Sequence, residues 1–163
     1  MLEKYLLSNR EFCNVPQGGK ATGFQVRVRI PYYRGIFLSM IEDLRVTVDG
    51  ELFGPDKIRF SLLGNSYSKE EMAKAAAIHW DFGQWATLTM SKPGGLLTGM
   101  HTVEVGIIVR TSYELPKELD KEGIFRQTGP GTSVQPATLE DRYRFTWSSP
   151  GSGRVTRKMT LVQ

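Results

Sequence analysis

From Phe24 to Ile30 the chain alternates apolar and polar residues without error, the two-residue period of a strand with one wet face. Leu44-Arg45-Val46-Thr47-Val48 repeats that pattern and runs into Asp49-Gly50, a strong two-residue hairpin signal, so Glu51-Leu52-Phe53 should turn back against it. Ile58–Leu62 alternates again, and Thr102–Arg110 is the longest strand candidate. Trp85–Met90 and Val155–Leu161 bring the set to about seven or eight strands. One helix stands out: Ser68 can cap it, Glu71 can close a capping box, and Met72 to Ala77 are helix formers, with Trp80 just beyond. Without crossover helices a parallel α/β sheet is excluded. The pattern predicts an all-β, antiparallel sandwich with one short helix, a single domain over residues 1–163.

Pro93-Gly94-Gly95-Leu96-Leu97-Thr98-Gly99-Met100-His101 leads into the longest strand. A Leu, a Gly and a His ahead of a Val-x-Val strand resemble the approach to a late strand in immunoglobulin-like sandwiches. There the leucine plugs the end of the core and the glycine permits a tight turn. From about 115 to 153 the pattern fades into a loop-rich segment punctuated by Pro116, Pro130, Pro136 and Pro150. Ile124, Phe125, Tyr143, Phe145 and Trp147 in it still need cover, from this domain or from a partner.

Composition narrows the classes. No apolar run reaches the length a bilayer requires, so no membrane span is expected. The opening Met1-Leu2-Glu3-Lys4-Tyr5 turns acidic at once and does not read as a secretory signal. A lone cysteine, Cys13, precludes an internal disulfide and fits a reducing, cytoplasmic setting. The net charge of +4 comes from basic residues scattered along the chain, among them Arg27, Arg29, Arg45, Arg59, Arg110 and Arg157. Nucleic-acid binders cluster such residues, so no nucleic-acid partner is expected. Arg142-Tyr143-Arg144-Phe145 has a basic-aromatic look, but it is equally a half-buried strand.

The search for chemistry yields little. His79, His101 and Cys13 lack any short metal-ligand spacing, and both histidines read first as structural. Cys13 has no base nearby in sequence. No Gly-x-Ser-x-Gly elbow or phosphate loop occurs. Glu42 and Asp43, adjacent on a strand, face opposite ways and make a poor acid/base pair. No catalytic residue and no cofactor are therefore expected in this chain. What remains is the loop motif Pro31-Tyr32-Tyr33-Arg34-Gly35, where Pro31 should end the strand ladder. Tyrosine and arginine are enriched at binding hot spots, so these five residues are the candidates for a partner interface or pocket border.

At these residues a family resemblance appears. Arg29 to Gly35, Leu38 to Val46 and Val48-Asp49-Gly50-Glu51 resemble the β subunits of C-glycoside deglycosidases. So do Lys92 to Leu96 with Gly99, His101, Val103, Glu104 and Val105, and the start Met1 to Tyr5. The resemblance covers roughly residues 1–113. It implies a hetero-oligomer in which a TIM-barrel α subunit holds a divalent metal, usually manganese. The complex acts on 3-oxo-C-glycosides such as oxidised C-glycosyl flavonoids. The ketone acidifies the neighbouring C2–H, a base removes that proton, and the aglycone carbon leaves by β-elimination. The β subunit would be a sandwich supporting the barrel, with the Tyr32-Tyr33-Arg34 loop and residues 115–147 facing it. The alternative is a free-standing carbohydrate-binding module stacking sugars on Trp80, Trp85 and the tyrosines.

Overall fold

A computed structural model of the chain describes residues 6–31, 34–109 and 153–161. Its strands are β1 (Leu7–Gln17), β2 (Lys20–Val28), β3 (Ile36–Phe37), β4 (Ile41–Val48), β5 (Glu51–Phe53), β6 (Ile58–Leu62), β7 (Asn65–Tyr67), β8 (His79–Trp80), β9 (Ala86–Ser91), β10 (Gly99–Val109) and β11 (Gly153–Leu161). A helix, α1 (Lys69–Lys74), lies between β7 and β8. Three antiparallel assemblies result: a five-stranded sheet ordered β1-β2-β9-β6-β7, a four-stranded sheet ordered β11-β10-β4-β5, and the ribbon β3-β8.

The two larger sheets face each other across one shared core, which draws Phe24, Val26, Phe60, Leu88 and Met90 from the first and Val46, Phe53, Val103, Val105 and Leu161 from the second. Phe24 meets Phe53 across the gap edge to face, with ring centroids 5.1 Å apart. The alternation read at 24–30, 44–48 and 58–62 therefore does what its period demands: one face of each strand fills the sandwich and the other stays wet.

The turns follow local chemistry. Asp49 and Gly50 both take positive φ, 49° and 87°, the requirement of the hairpin joining β4 to β5. Gly18 and Gly19 do the same between β1 and β2. The capping box forms as expected: the Glu71 amide donates to Ser68 Oγ at 3.2 Å, and the Ser68 amide donates to Glu71 Oε1 at 3.3 Å. The helix stops at Lys74, short of the Ala77 expected from composition, and seats Met72 in the core.

Two further expectations are refined. β1 had no periodic signal, because Glu11 takes a positive φ of 61° and the β1–β2 register shifts between Ser8 and Cys13. Of the leucines before β10, Leu96 packs against the core, whereas Leu97 is 85% exposed. Residues 115–152, and with them the burial of Ile124, Phe125, Tyr143, Phe145 and Trp147, lie outside the described residues.

The sandwich has two distinct ends. At one end Lys92, following β9, bonds Glu51 of β5 at 2.6 Å beside the Asp49-Gly50 turn. At the other, β2 finishes at Val28 opposite Ala86, and Ile41 opens β4 opposite Val109. The connector from Arg29 to Met40 crosses between the sheets at this second end and carries β3 on the way. β10 ends and β11 begins there too.

Candidate functional site

The connector end holds what the described residues offer as a site. Pro31 is buried where the β2 ladder has ended, as its missing N–H requires. Arg34 is exposed, and Tyr32 and Tyr33 lie outside the described residues. Gly35 packs closely on β8: a Cβ built there would stand 2.1 Å from His79 Cε1, which the exposed ring could yield, and 3.0 Å from the Trp80 carbonyl oxygen. The loop motif is thus anchored against β8 through its glycine. β3 pairs with β8 next, Ile36 opposite Trp80 and Phe37 opposite His79.

That ribbon has an inner and an outer side. Inside, Trp80 is fully buried, meets Phe60 edge to face at 5.0 Å, and donates its indole N–H to the Gln84 carbonyl at 2.8 Å. Trp80 is core, so it offers no platform to a sugar. Outside, Phe37 is 43% exposed and faces His79 edge-on at 5.0 Å, while His79 Nδ1 is 2.5 Å from Asp81 Oδ1. Ile78 and Phe82, on either side of β8 in the chain, are 37% and 57% exposed. Exposed apolar side chains thus rim this end: Phe37 on the ribbon, and Ile78 and Phe82 beside it in the chain. α1 borders this end, with Lys69 Nζ donating to the Ile41 carbonyl at 2.9 Å. Partial burial holds the Lys69 ammonium below its ordinary pKa, opposed by Asp43 and Glu42.

His101 lies at the opposite end and is structural. Its Nδ1 is 2.6 Å from Asp49 Oδ2 and its Nε2 is 2.6 Å from the Leu97 carbonyl oxygen, while Phe12 packs edge-on at 6.1 Å. Two acceptors call for two N–H donors, so the bond to the Leu97 carbonyl, then the Asp49 carboxylate, raise its pKa. The bond from His101, then the Thr102 amide, lowers that of Asp49. The His101 contribution is complete below its unfolded value of about 6.5 and is lost as pH rises through the raised folded value. The Asp49 contribution is present above about pH 4 and is lost as pH falls through the lowered one. Urea midpoints should therefore decline as pH climbs above about 6.5, and His101→Gln should flatten that decline.

Burial, then the nearby Glu11 carboxylate, pushes the Cys13 thiol up, which favours the inert form. Among the described residues no three His, Cys, Asp or Glu side chains gather as metal ligands. No described helix is long and apolar enough to cross a membrane.

These features define an antiparallel β-sandwich with exposed apolar residues, Phe37 among them, at its connector end. The sequence model of the C-glycoside deglycosidase beta subunit family matches residues 2–113, and the chain belongs to that family. It is 37% identical over 116 residues to the C-glycoside deglycosidase beta subunit of Eubacterium cellulosolvens, covering 71% of this chain and 79% of that one. Over 93 residues it is 33% identical to the 3'-dehydrocarminate deglycosidase beta subunit of a Microbacterium species, covering 56% and 69%. A C-glycoside deglycosidase beta subunit from Arthrobacter globiformis is 35% identical over 66 residues, covering 40% and 43%.

Proposed function

We propose that this chain is the cytoplasmic β subunit of a complex that cleaves the carbon–carbon glycosidic bond of 3-oxo-C-glycosides by β-elimination, and that it supports a TIM-barrel α subunit carrying the divalent metal, manganese. The observation behind this reading is the aromatic rim. Phe37 exposes apolar surface on the ribbon that anchors Gly35, and Ile78 and Phe82 expose more on either side of β8 in the chain. Membership of a β-subunit family supplies the reason for such a surface, because a subunit must bury part of itself against a partner. In this reading Pro31, Tyr32, Tyr33, Arg34 and Gly35, with residues 115–147, face the barrel or border its pocket. The ends of β2, β10 and the start of β11 at the connector end support that arrangement. This chain holds and orients the partner, while the partner polarises the sugar ketone and removes the C2 proton.

The test is co-expression with the barrel-type protein encoded beside this one, followed by a lyase assay on a 3-oxo-C-glycoside with manganese. A stable complex whose activity needs both chains is expected. Replacing Tyr32, Tyr33 and Arg34 together by alanine should weaken assembly by at least about tenfold. Undiminished assembly and activity in that variant would remove the loop from the interface. The free carbohydrate-binding module has less to stand on, since Trp80 is buried and the Arg29 guanidinium carbon sits 3.9 Å over the Trp85 ring.

A further inference from the structure

Basic residues that look scattered in the sequence converge in space. A groove of about 450 Å³ opens where the starts of β1 and β9, the end of β2 and the middle of β11 meet. Arg10, Arg27, Arg29 and Arg157 line it together with Trp85, and among the described residues no carboxylate does. Arg157 is held by donation to the Leu7 carbonyl at 2.7 Å. Arg27 reaches out to Glu11, an exposed acid, at 3.3 Å. The Arg29 guanidinium carbon sits over the Trp85 ring, 3.9 Å from its centroid, and that of Arg27 is 5.4 Å away. The Arg29 Nε is shut off from solvent and has no hydrogen-bond acceptor among the described residues.

Gathering like charges is unfavourable, and an oxyanion in the groove relieves it. The guanidinium fork matches the two oxygens of a carboxylate, and stacking on Trp85 fixes the plane of that fork. The volume lies within the range of small-molecule sites, and Leu7 and Trp85 add apolar lining against which an organic acid, unlike inorganic phosphate, can bury carbon. We propose that this groove is a carboxylate site, filled either by a free organic acid or by an acidic side chain of a bound partner. The proposal stands apart from the assignment to a deglycosidase complex, because the lone chain should bind the acid.

The experiment titrates the full-length chain with benzoate and with inorganic phosphate by calorimetry, following Trp85 by fluorescence, and repeats this on the co-purified complex. Saturable benzoate binding, tighter than phosphate, is expected for the lone chain. Arg10→Ala and Arg29→Lys should each weaken it at least about fivefold while near-ultraviolet dichroism shows the fold intact. Arg29→Lys keeps the charge but loses the fork, so loss in that variant marks geometry rather than general attraction. If the free acid is the natural ligand, the complex binds benzoate as well as the lone chain. If a partner carboxylate fills the groove, the complex does not bind, and Arg29→Lys loosens assembly. Absence of benzoate binding by the lone chain, binding indifferent to both variants, or preference for phosphate would overturn the proposal. None of these results depends on lyase activity, so they are separable from failure of the complex to form.

Discussion

Gly23→Ala should destabilise the protein by about 4 kcal/mol, enough to lower the melting temperature by roughly 10 °C in a domain of this size. Gly23 is an interior residue of β2, paired with Val15 of β1 on one side and Ser91 of β9 on the other. A Cβ built there would stand 2.0 Å from the Met90 carbonyl oxygen and 3.0 Å from its carbon. These are backbone atoms of a central strand, so no rotamer change can relieve the overlap. β2 or β9 must move, and the ladder from Gly23–Ser91 to Val28–Ala86 loosens with it. Gly18→Ala is the control: its φ of 61° is strained for alanine, but nothing lies within 4 Å of the added carbon. It should lower stability by about 1 kcal/mol. Differential scanning calorimetry of the two variants separates contact from backbone strain. Equal losses would show that the close approach at Gly23 is not what requires glycine.

The same contrast shows what can be read from sequence. Strand faces at 24–30, 44–48 and 58–62 were legible because their alternation is local and each strand contributes one face to the core. The Asp49-Gly50 turn and the Ser68/Glu71 box were legible because each is a short-range exchange of backbone and side-chain bonds. β1 escaped because a bulge and Pro16 on an edge strand break its period. The rim and the groove could not be seen locally at all. Gly35 packs against His79, a contact made only once β3 pairs with β8. Arg10, Arg27, Arg29 and Arg157 become one patch only through the meeting of β1, β2 and β11. Alternation announces that Arg27 and Arg29 share a wet face, but which distant cations join them is set by topology.

Trp80→Ala should lower stability by about 4 kcal/mol and also weaken docking to the partner subunit beyond what unfolding accounts for. The first effect follows from burial: the indole is wholly enclosed and packed edge-on against Phe60, and its N–H is satisfied by Gln84. Truncation leaves a cavity that strand backbones can close only in part. The second follows from position. β8 carries the outward His79 and pairs with the strand that carries Phe37. Trp80 and Ile36 are the buried pair that ties this two-residue pairing to the sandwich, so loss of the larger of them leaves Phe37 on a poorly fixed support. Phe37→Ser separates the two effects, because Phe37 is already 43% exposed and its removal should change stability by no more than about 0.5 kcal/mol. If the rim docks a partner, Phe37→Ser weakens assembly with stability intact, whereas Trp80→Ala lowers both. Assembly unaffected by Phe37→Ser would move the interface off the ribbon and leave Trp80 as a core residue alone.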